Sequence, residues 1–228
     1  MTNGPDRTQT RIQVSGPPIV YLVDDDSSFL RALSRRLRVA GYQVETFESA
    51  ELFRMRGSLQ APACAILDLQ MPGLGGLELQ ELIARADEPL PVIFLTGHGD
   101  VPSSVRAMKG GAVDFLTKPV RGDELLEAVR RAVARDDATR EMKRHKRVWR
   151  ARYESLTARE REVFALIVQG LPNKQIGDVL QISERTVKAH RCQVMSKMAV
   201  QSSAELGRVA EWLGDFFQEV PAVQHGPI

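Results

Sequence analysis

Cysteine is scarce in this 228-residue chain. The two that occur, Cys64 in an apolar run and Cys192 in a distant basic stretch, supply neither a disulfide framework nor a metal-ligand spacing. A reducing, cytoplasmic setting is therefore expected. Long hydrophobic runs are missing as well, since no stretch approaches the roughly 20 apolar residues of a membrane span. The opening residues 1–18, MTNGPDRTQTRIQVSGPP, are polar and lack the apolar centre of a secretory signal, so a flexible tail is expected there. A second such tail is expected over 217–228. Strong net charge is also absent, at +2 overall.

The length suits two compact domains, and 43% hydrophobic with 26% charged residues is ordinary for a soluble globular protein. The small net charge hides an asymmetry: residues 1–140 carry 17 basic and 19 acidic side chains, and residues 141–228 carry 14 and 10. A basic surplus on the second part suits a phosphate backbone as partner, although the imbalance alone says little.

From residue 19 short apolar runs alternate with amphipathic ones. Residues 19–23, 43–47, 63–67, 91–95 and 113–116 read as strands, with helical patterns between them. Runs such as ACAIL and PVIFL are apolar on both faces, as a parallel sheet covered by crossover helices requires. The predicted fold is α/β, a doubly wound five-stranded parallel sheet over 19–136, with function placed beyond the carboxyl ends of the strands. Residues 121–152 continue helically through the basic segment KRHKRVWRARY, which makes 137–152 a helical linker. An all-α domain is expected over 153–216. There Thr157 and Glu160 form a capping box and Gly170 stops the first helix. Further helices follow Asn173 and Ser183, and the last runs from Ser202 to about Gly214 with Leu206, Val209, Ala210 and Leu213 on one face.

The strand ends carry the chemistry. The first ends in Asp24, Asp25 and Asp26, the third in Asp68, the fourth in Thr96 and the fifth in Lys118. Converging carboxylates repel one another unless a cation neutralises them, and oxygen-only ligands favour a hard ion, Mg²⁺. A carboxylate nucleophile can accept a phosphoryl group while the metal and an ammonium offset charge on the transferred oxygens, and Asp68 is the candidate acceptor. An FMN-binding reading of the same fold fails on charge, because three aspartates after the first strand repel a phosphate dianion.

At these residues a resemblance becomes specific. VDDD, LDLQMPGLGG, FLTGHGDV and DFLTKP, in this order and spacing, resemble the receiver domains of bacterial two-component response regulators, the FixJ-type group above all. The resemblance implies that Asp25 and Asp68 ligate Mg²⁺ directly, with the backbone carbonyl of Gln70, while Asp24 acts through water. It implies that Thr96 and Lys118 bond phosphoryl oxygens, that Phe115 is an aromatic rotamer switch, and that the Lys118–Pro119 peptide is cis. Asp26 falls outside the shared pair, and Gly73, Gly75 and Gly76 read as turn residues. A dehalogenase-like phosphatase would place a second acid where Gln70 stands, so no turnover is expected beyond phosphoacceptance and slow self-dephosphorylation.

The second half contains LTAREREVFALIVQGLPNKQIGDVLQISERTVKAHRCQVMSKM, which resembles the LuxR-type helix-turn-helix. The NKQIGDVL helix would cross the DNA backbone with Ile176 and Leu180 inward, and the next helix would enter the major groove. Helical spacing puts Val187, Val194 and Met198 inward and turns Arg185, Lys188, Ala189, Cys192 and Ser196 outward. Lys188 is the expected guanine reader, and Ala189 or Cys192 can touch a thymine methyl. Thr186, Arg191 and Lys197 on the flanks, with Lys174, are expected to meet phosphates, and His190 to be structural. The last helix has apolar positions enough to pair with its copy.

Together these features predict a regulator phosphorylated at Asp68 by a sensor histidine kinase. It would bind promoter DNA, act on RNA polymerase, and form a homodimer when phosphorylated. The competing class is a phosphorylation-gated adaptor whose basic helices bind an acidic protein; an RNA target suits a groove-reading helix less well.

Overall fold

A computed structural model describes residues 16–57, 62–97 and 100–214. The tail expected over 217–228, and residues 1–15 of the one expected over 1–18, lie outside the described residues. The chain divides into two compact units, Met1–Arg140 and Glu141–Ile228.

The first unit alternates strand and helix. In order come β1 (Ile19–Val23), α1 (Ser27–Val39), β2 (Gln43–Phe47), α2 (Ala50–Met55), β3 (Ala63–Leu67), α3 (Gly76–Ala84), β4 (Val92–Thr96), α4 (Val101–Lys109), β5 (Asp114–Thr117) and the start of α5 (Gly122–Glu154). All strands are parallel, in the order β2-β1-β3-β4-β5.

Alternate residues of each central strand enter opposite layers, which explains why the runs are apolar throughout. Val20, Leu22, Ile66 and Ile93 pack with Leu33 and Leu37 of α1 and Leu125 and Val129 of α5. Tyr21, Val23, Leu67 and Phe94 face the other way, toward Phe53 of α2, Leu79 of α3 and Ala107 of α4.

The last two strands begin one residue later than the sequence predicts. Pro91 has no N–H to give a ladder; its carbonyl still accepts from the Ala65 N–H at 2.9 Å, and β4 opens at Val92. Thr96 is thereby the last residue of its strand, and Lys118 follows β5 directly.

The helix α5 runs unbroken for 33 residues, so all of 137–152 is helical, as expected. Near the end of the first unit it carries the buried Asp136, 2% exposed. One carboxylate oxygen of Asp136 accepts from the backbone N–H of Ala63, the first residue of β3, and from Arg140 Nε, both at 2.8 Å. Arg140 also donates to Glu88 at 2.8 Å. A side chain thus completes the ladder at the amino end of the central strand.

In the second unit α6 (Ala158–Val168), α7 (Asn173–Leu180), α8 (Glu184–Met198) and α9 (Ser203–Leu213) follow the end of α5. They enclose a core that includes Phe164, Ile176, Val187, Val194, Met198 and Leu206. The expected capping box is present: Glu160 N–H donates to Thr157 Oγ1 and Thr157 N–H to Glu160 Oε2. Three helices end on guanidinium groups, which satisfy terminal carbonyls and complement the helix dipoles. Arg161 donates to the carbonyl of Glu154, Arg159 to Leu180 and Arg152 to Met198, the last residues of α5, α7 and α8. Gly177 lets the α7–α8 turn close, since a Cβ there would stand 2.8 Å from the Ile182 carbonyl oxygen. Among the described residues no helix is long and apolar enough to cross a membrane.

Replacing Asp136 by Ala strands the buried Ala63 amide and leaves Arg140 with Glu88 as its remaining ion-pair partner. We expect the first unit to lose about 2–3 kcal/mol, with Asp136→Asn losing less, in urea unfolding followed by circular dichroism.

Candidate functional site

In this strand order the chain leaves β1 toward β2 on one side and returns to β3 on the other. The crevice at such a reversal is where an open α/β sheet binds ligands. Val23 of β1 is level with Leu67 of β3, so Asp24 and Asp68 are the next residues on neighbouring strands. Backbone bonds fix both positions: Asp24 N–H donates to the Phe47 carbonyl at 3.1 Å and Asp68 N–H to the Val23 carbonyl at 2.8 Å. Asp24, Asp25 and Asp68 each present a carboxylate oxygen within 4.8 Å of the others. Asp25 is exposed, whereas Asp24 and Asp68 are buried.

Lys118 is the cation of this pocket. Its Nζ lies 2.5 Å from Asp24 Oδ2 and 3.6 Å from Asp68 Oδ1, with the Phe29 ring centroid 4.1 Å away. Asp24 Oδ1 accepts the Asp26 N–H at 3.0 Å. Burial still pushes the Asp24 carboxyl above its ordinary pKa, against the opposing hydrogen bond from Lys118. Asp68 Oδ1 is buried with no hydrogen-bond partner. A buried carboxylate oxygen without a donor, beside two further carboxylates, fits a hard divalent cation, and the acidic pocket is of the kind that binds Mg²⁺.

The structure brings Asp24, Asp25, Asp68 and Lys118 together. Thr96 is buried at the end of β4, where its carbonyl accepts the Lys118 N–H at 2.8 Å. Phe115 is partly buried on β5, its ring centroid 6.0 Å from that of Phe94. Gln70 lies two residues past Asp68 with its side chain exposed. The Lys118–Pro119 peptide is cis.

Two residues have roles beyond the sequence reading. Asp26 caps α1, accepting from the Ser28 and Phe29 N–H groups at 2.8 and 3.1 Å, which hold its carboxyl below the usual range. It thereby anchors the helix that carries Phe29 beneath Lys118. The signal was an aspartate just before an apolar-periodic run. Gly76 is the first residue of α3 and packs so closely on the Asp68 carbonyl that a Cβ would collide with it. It is more than a turn residue.

In the second unit Gln181 takes a left-handed conformation (φ 53°) between α7 and α8, and Ser183 caps α8 by accepting the Thr186 N–H. Val187, Val194 and Met198 are fully buried, as the spacing predicts. Arg185, Lys188, Ala189, Cys192 and Ser196 are exposed, and His190 is half-buried. Lys188 makes one loose pair with Glu184 at 3.5 Å. Among the residues expected to meet phosphates, Lys174 is exposed and the exposed Thr186 shares its hydroxyl with Ser183 at 2.8 Å. Arg191 and Lys197 instead turn to partners within their own unit. Lys197 Nζ is 2.6 Å from Oε2 of the buried Glu160. Arg191 bonds Asn173 and Ser203.

A phosphoacceptor-type acidic pocket on one unit and a helix-turn-helix on the other define a class: regulators with a receiver input and a DNA-binding output. The chain belongs to the family of two-component response regulators that join a receiver to a LuxR-type DNA-binding domain. Residues 20–130 match the response regulator receiver domain, and residues 154–210 match the bacterial regulatory proteins of the luxR family. Nodulation protein W of Bradyrhizobium diazoefficiens is 44% identical over 202 residues, 89% of each chain. Response regulator protein TodT of Pseudomonas putida is 42% identical over 211 residues, 92% of this chain and 93% of its own. The solved structure of response regulator StyR matches with a TM-score of 0.77 and 41% identity, covering 86% of this chain and 99% of that one. Full-length FixJ from B. japonicum matches with a TM-score of 0.53 and 36% identity, covering 89% and 99%.

Lys197 and the Thr157 N–H hold the Glu160 carboxyl below its ordinary pKa. Its contribution to stability is therefore present above the unfolded glutamate range and lost as pH falls through the depressed folded value. Both tryptophans, Trp149 and Trp212, are in the second unit, so their fluorescence isolates it. We expect Lys197→Met to lower that unit's stability at pH 7 by on the order of 1–2 kcal/mol and to flatten its acid dependence.

Proposed function

We propose that Asp68 is the phosphoacceptor. One of its carboxylate oxygens attacks the phosphorus of a phosphohistidine on a sensor kinase. As the new P–O bond forms the P–N bond breaks, and the imidazole, already protonated on its other ring nitrogen, leaves as the neutral ring. The observation that carries this reading is the buried Asp68 Oδ1, unmatched by any hydrogen-bond donor yet 3.6 Å from the Lys118 ammonium. Lys118 and Thr96 would each bond a phosphoryl oxygen. Mg²⁺, when bound, would neutralise charge on the transferred oxygens. Asp25, Asp68 and the Gln70 carbonyl would hold it, with Asp24 acting through water. With Gln70 in place of a second acid, loss of the phosphoryl group to water would be slow.

Phosphorylation would draw Thr96 and Phe115 inward and shift the chain toward a DNA-binding state. Support for a phosphorylated homodimer comes from Val101, Val105 and Met108, exposed on α4 beside the strand that carries Phe115. On DNA, Arg185, Lys188, Ala189 and Cys192 would face base edges, with Thr186 and Lys174 at the backbone. The bound regulator would act on RNA polymerase, in the cytoplasm.

A small phosphodonor such as acetyl phosphate with Mg²⁺ should raise affinity for a duplex selected by the wild-type chain. Asp68→Asn protein should not respond; an equal response would remove Asp68 from the switch. Lys188→Ala should weaken the selected duplex by about tenfold more than random duplex, in salt-matched titrations. An acidic protein bound with no sequence-specific footprint on DNA would favour the adaptor reading.

A further inference from the structure

The helix α8 must present its outward side chains in one rotational setting if Lys188 and Ala189 are to read bases. Direct recognition tolerates only about 0.5 Å and 10–20° of slack in a supporting element. The buried stripe of Val187, Val194 and Met198 sets this orientation coarsely, because apolar packing is non-directional. Something directional is needed as well.

Arg191 stands midway along α8, on the flank between its buried and exposed sides. A phosphate-contacting arginine would extend to solvent. This one is half-buried, and its two terminal nitrogens diverge to different helices. Nη1 donates to Oδ1 of Asn173, the first residue of α7, at 3.3 Å, and Nη2 donates to Oγ of Ser203, the first residue of α9, at 2.5 Å. The guanidinium is a rigid planar fork, so satisfying both acceptors fixes the twist of α8 against the starts of the two flanking helices. An ammonium has a single centre and cannot reproduce that geometry.

We infer that Arg191 is a positioning residue that sets the rotation of the DNA-reading helix, and that its role is not neutralisation of a DNA phosphate. The inference rests on the DNA-binding reading of α8. The Lys197–Glu160 pair is a separate attachment, at the far end of the same helix.

The two roles differ in salt dependence and in what lysine can rescue. Removing one cation from a DNA phosphate lowers the slope of log K against log[salt] by about 0.9, whereas removing a bond that only orients the helix leaves the slope alone. The test uses the full chain with acetyl phosphate and Mg²⁺, titrated on a duplex selected from a random pool by wild-type protein and on a random-sequence duplex. We expect Arg191→Met and Arg191→Lys each to weaken the selected duplex by about tenfold, with the random duplex nearly unaffected and the wild-type slope retained.

Ser203→Ala removes an acceptor without touching a charge. It should weaken selected binding in the same direction, and should add little when combined with Arg191→Met. Tryptophan fluorescence checks folding of each variant, and Ser203→Ala with Asn173→Ala carries the test if Arg191→Met does not fold. A slope reduced by about 0.9 in Arg191→Met and restored in Arg191→Lys, or equal losses on both duplexes, would overturn the inference. Wild-type protein with no salt-dependent duplex binding would instead overturn the DNA-binding reading, and the inference with it.

Discussion

Lys118 reaches from the end of β5 past the ends of β4 and β3 to Asp24 beyond β1, and the pocket depends on that ion pair. Without an ammonium there, two buried carboxylates would lie beyond adjacent strands with only the Asp26 N–H on Asp24 to offset their desolvation. The rest of the edge can be read as support for the pair. Phe29 lies beside the lysine head, Asp26 fixes the helix that holds Phe29, and the Thr96 carbonyl binds the lysine's own amide. The balance is uneven, because Lys118 is much closer to Asp24 than to Asp68. A dianionic group placed on Asp68 would compete for the same ammonium, so a change confined to one side chain would be felt on β1, β4 and β5 together.

The second unit uses charge differently. Several of its cations are structural: Arg152, Arg159 and Arg161 close helix ends, Lys197 holds a capping glutamate, and Arg191 joins three helices. The residues left facing outward on α7 and α8 include Lys174, Arg185 and Lys188. The basic surplus of this half is therefore a poor guide to its outward field. Three of its 14 cations meet the negative ends of the unit's own helix dipoles.

How much of this was legible in the sequence follows from which signals are local. The strands could be read because burial on both faces leaves apolar runs, and β1, β2 and β3 fall at the predicted residues. The carboxylates and Lys118 could be placed because strand ends in a parallel sheet share one edge. Inward Val187, Val194 and Met198 followed from helical period alone. The partners of Arg191 and Lys197 could not be read this way. They sit 12, 18 and 37 residues away, and a flanking cation has the same period whether it meets water, a phosphate or another helix. Gly76 was hidden for a related reason, since close approach to the Asp68 carbonyl is a tertiary fact.

The carboxylate of Asp136 has a bearing on where the first unit ends. The match to the receiver family ends at residue 130, and the apolar side chains that cover the sheet end at Val133. A fragment cut there would keep every strand yet leave the first amide of β3 without its acceptor, in a place water does not reach. A first unit that keeps this bond must extend through Asp136, and one that also keeps the Arg140 partner of that carboxylate runs four residues further along the helix that continues into the second unit.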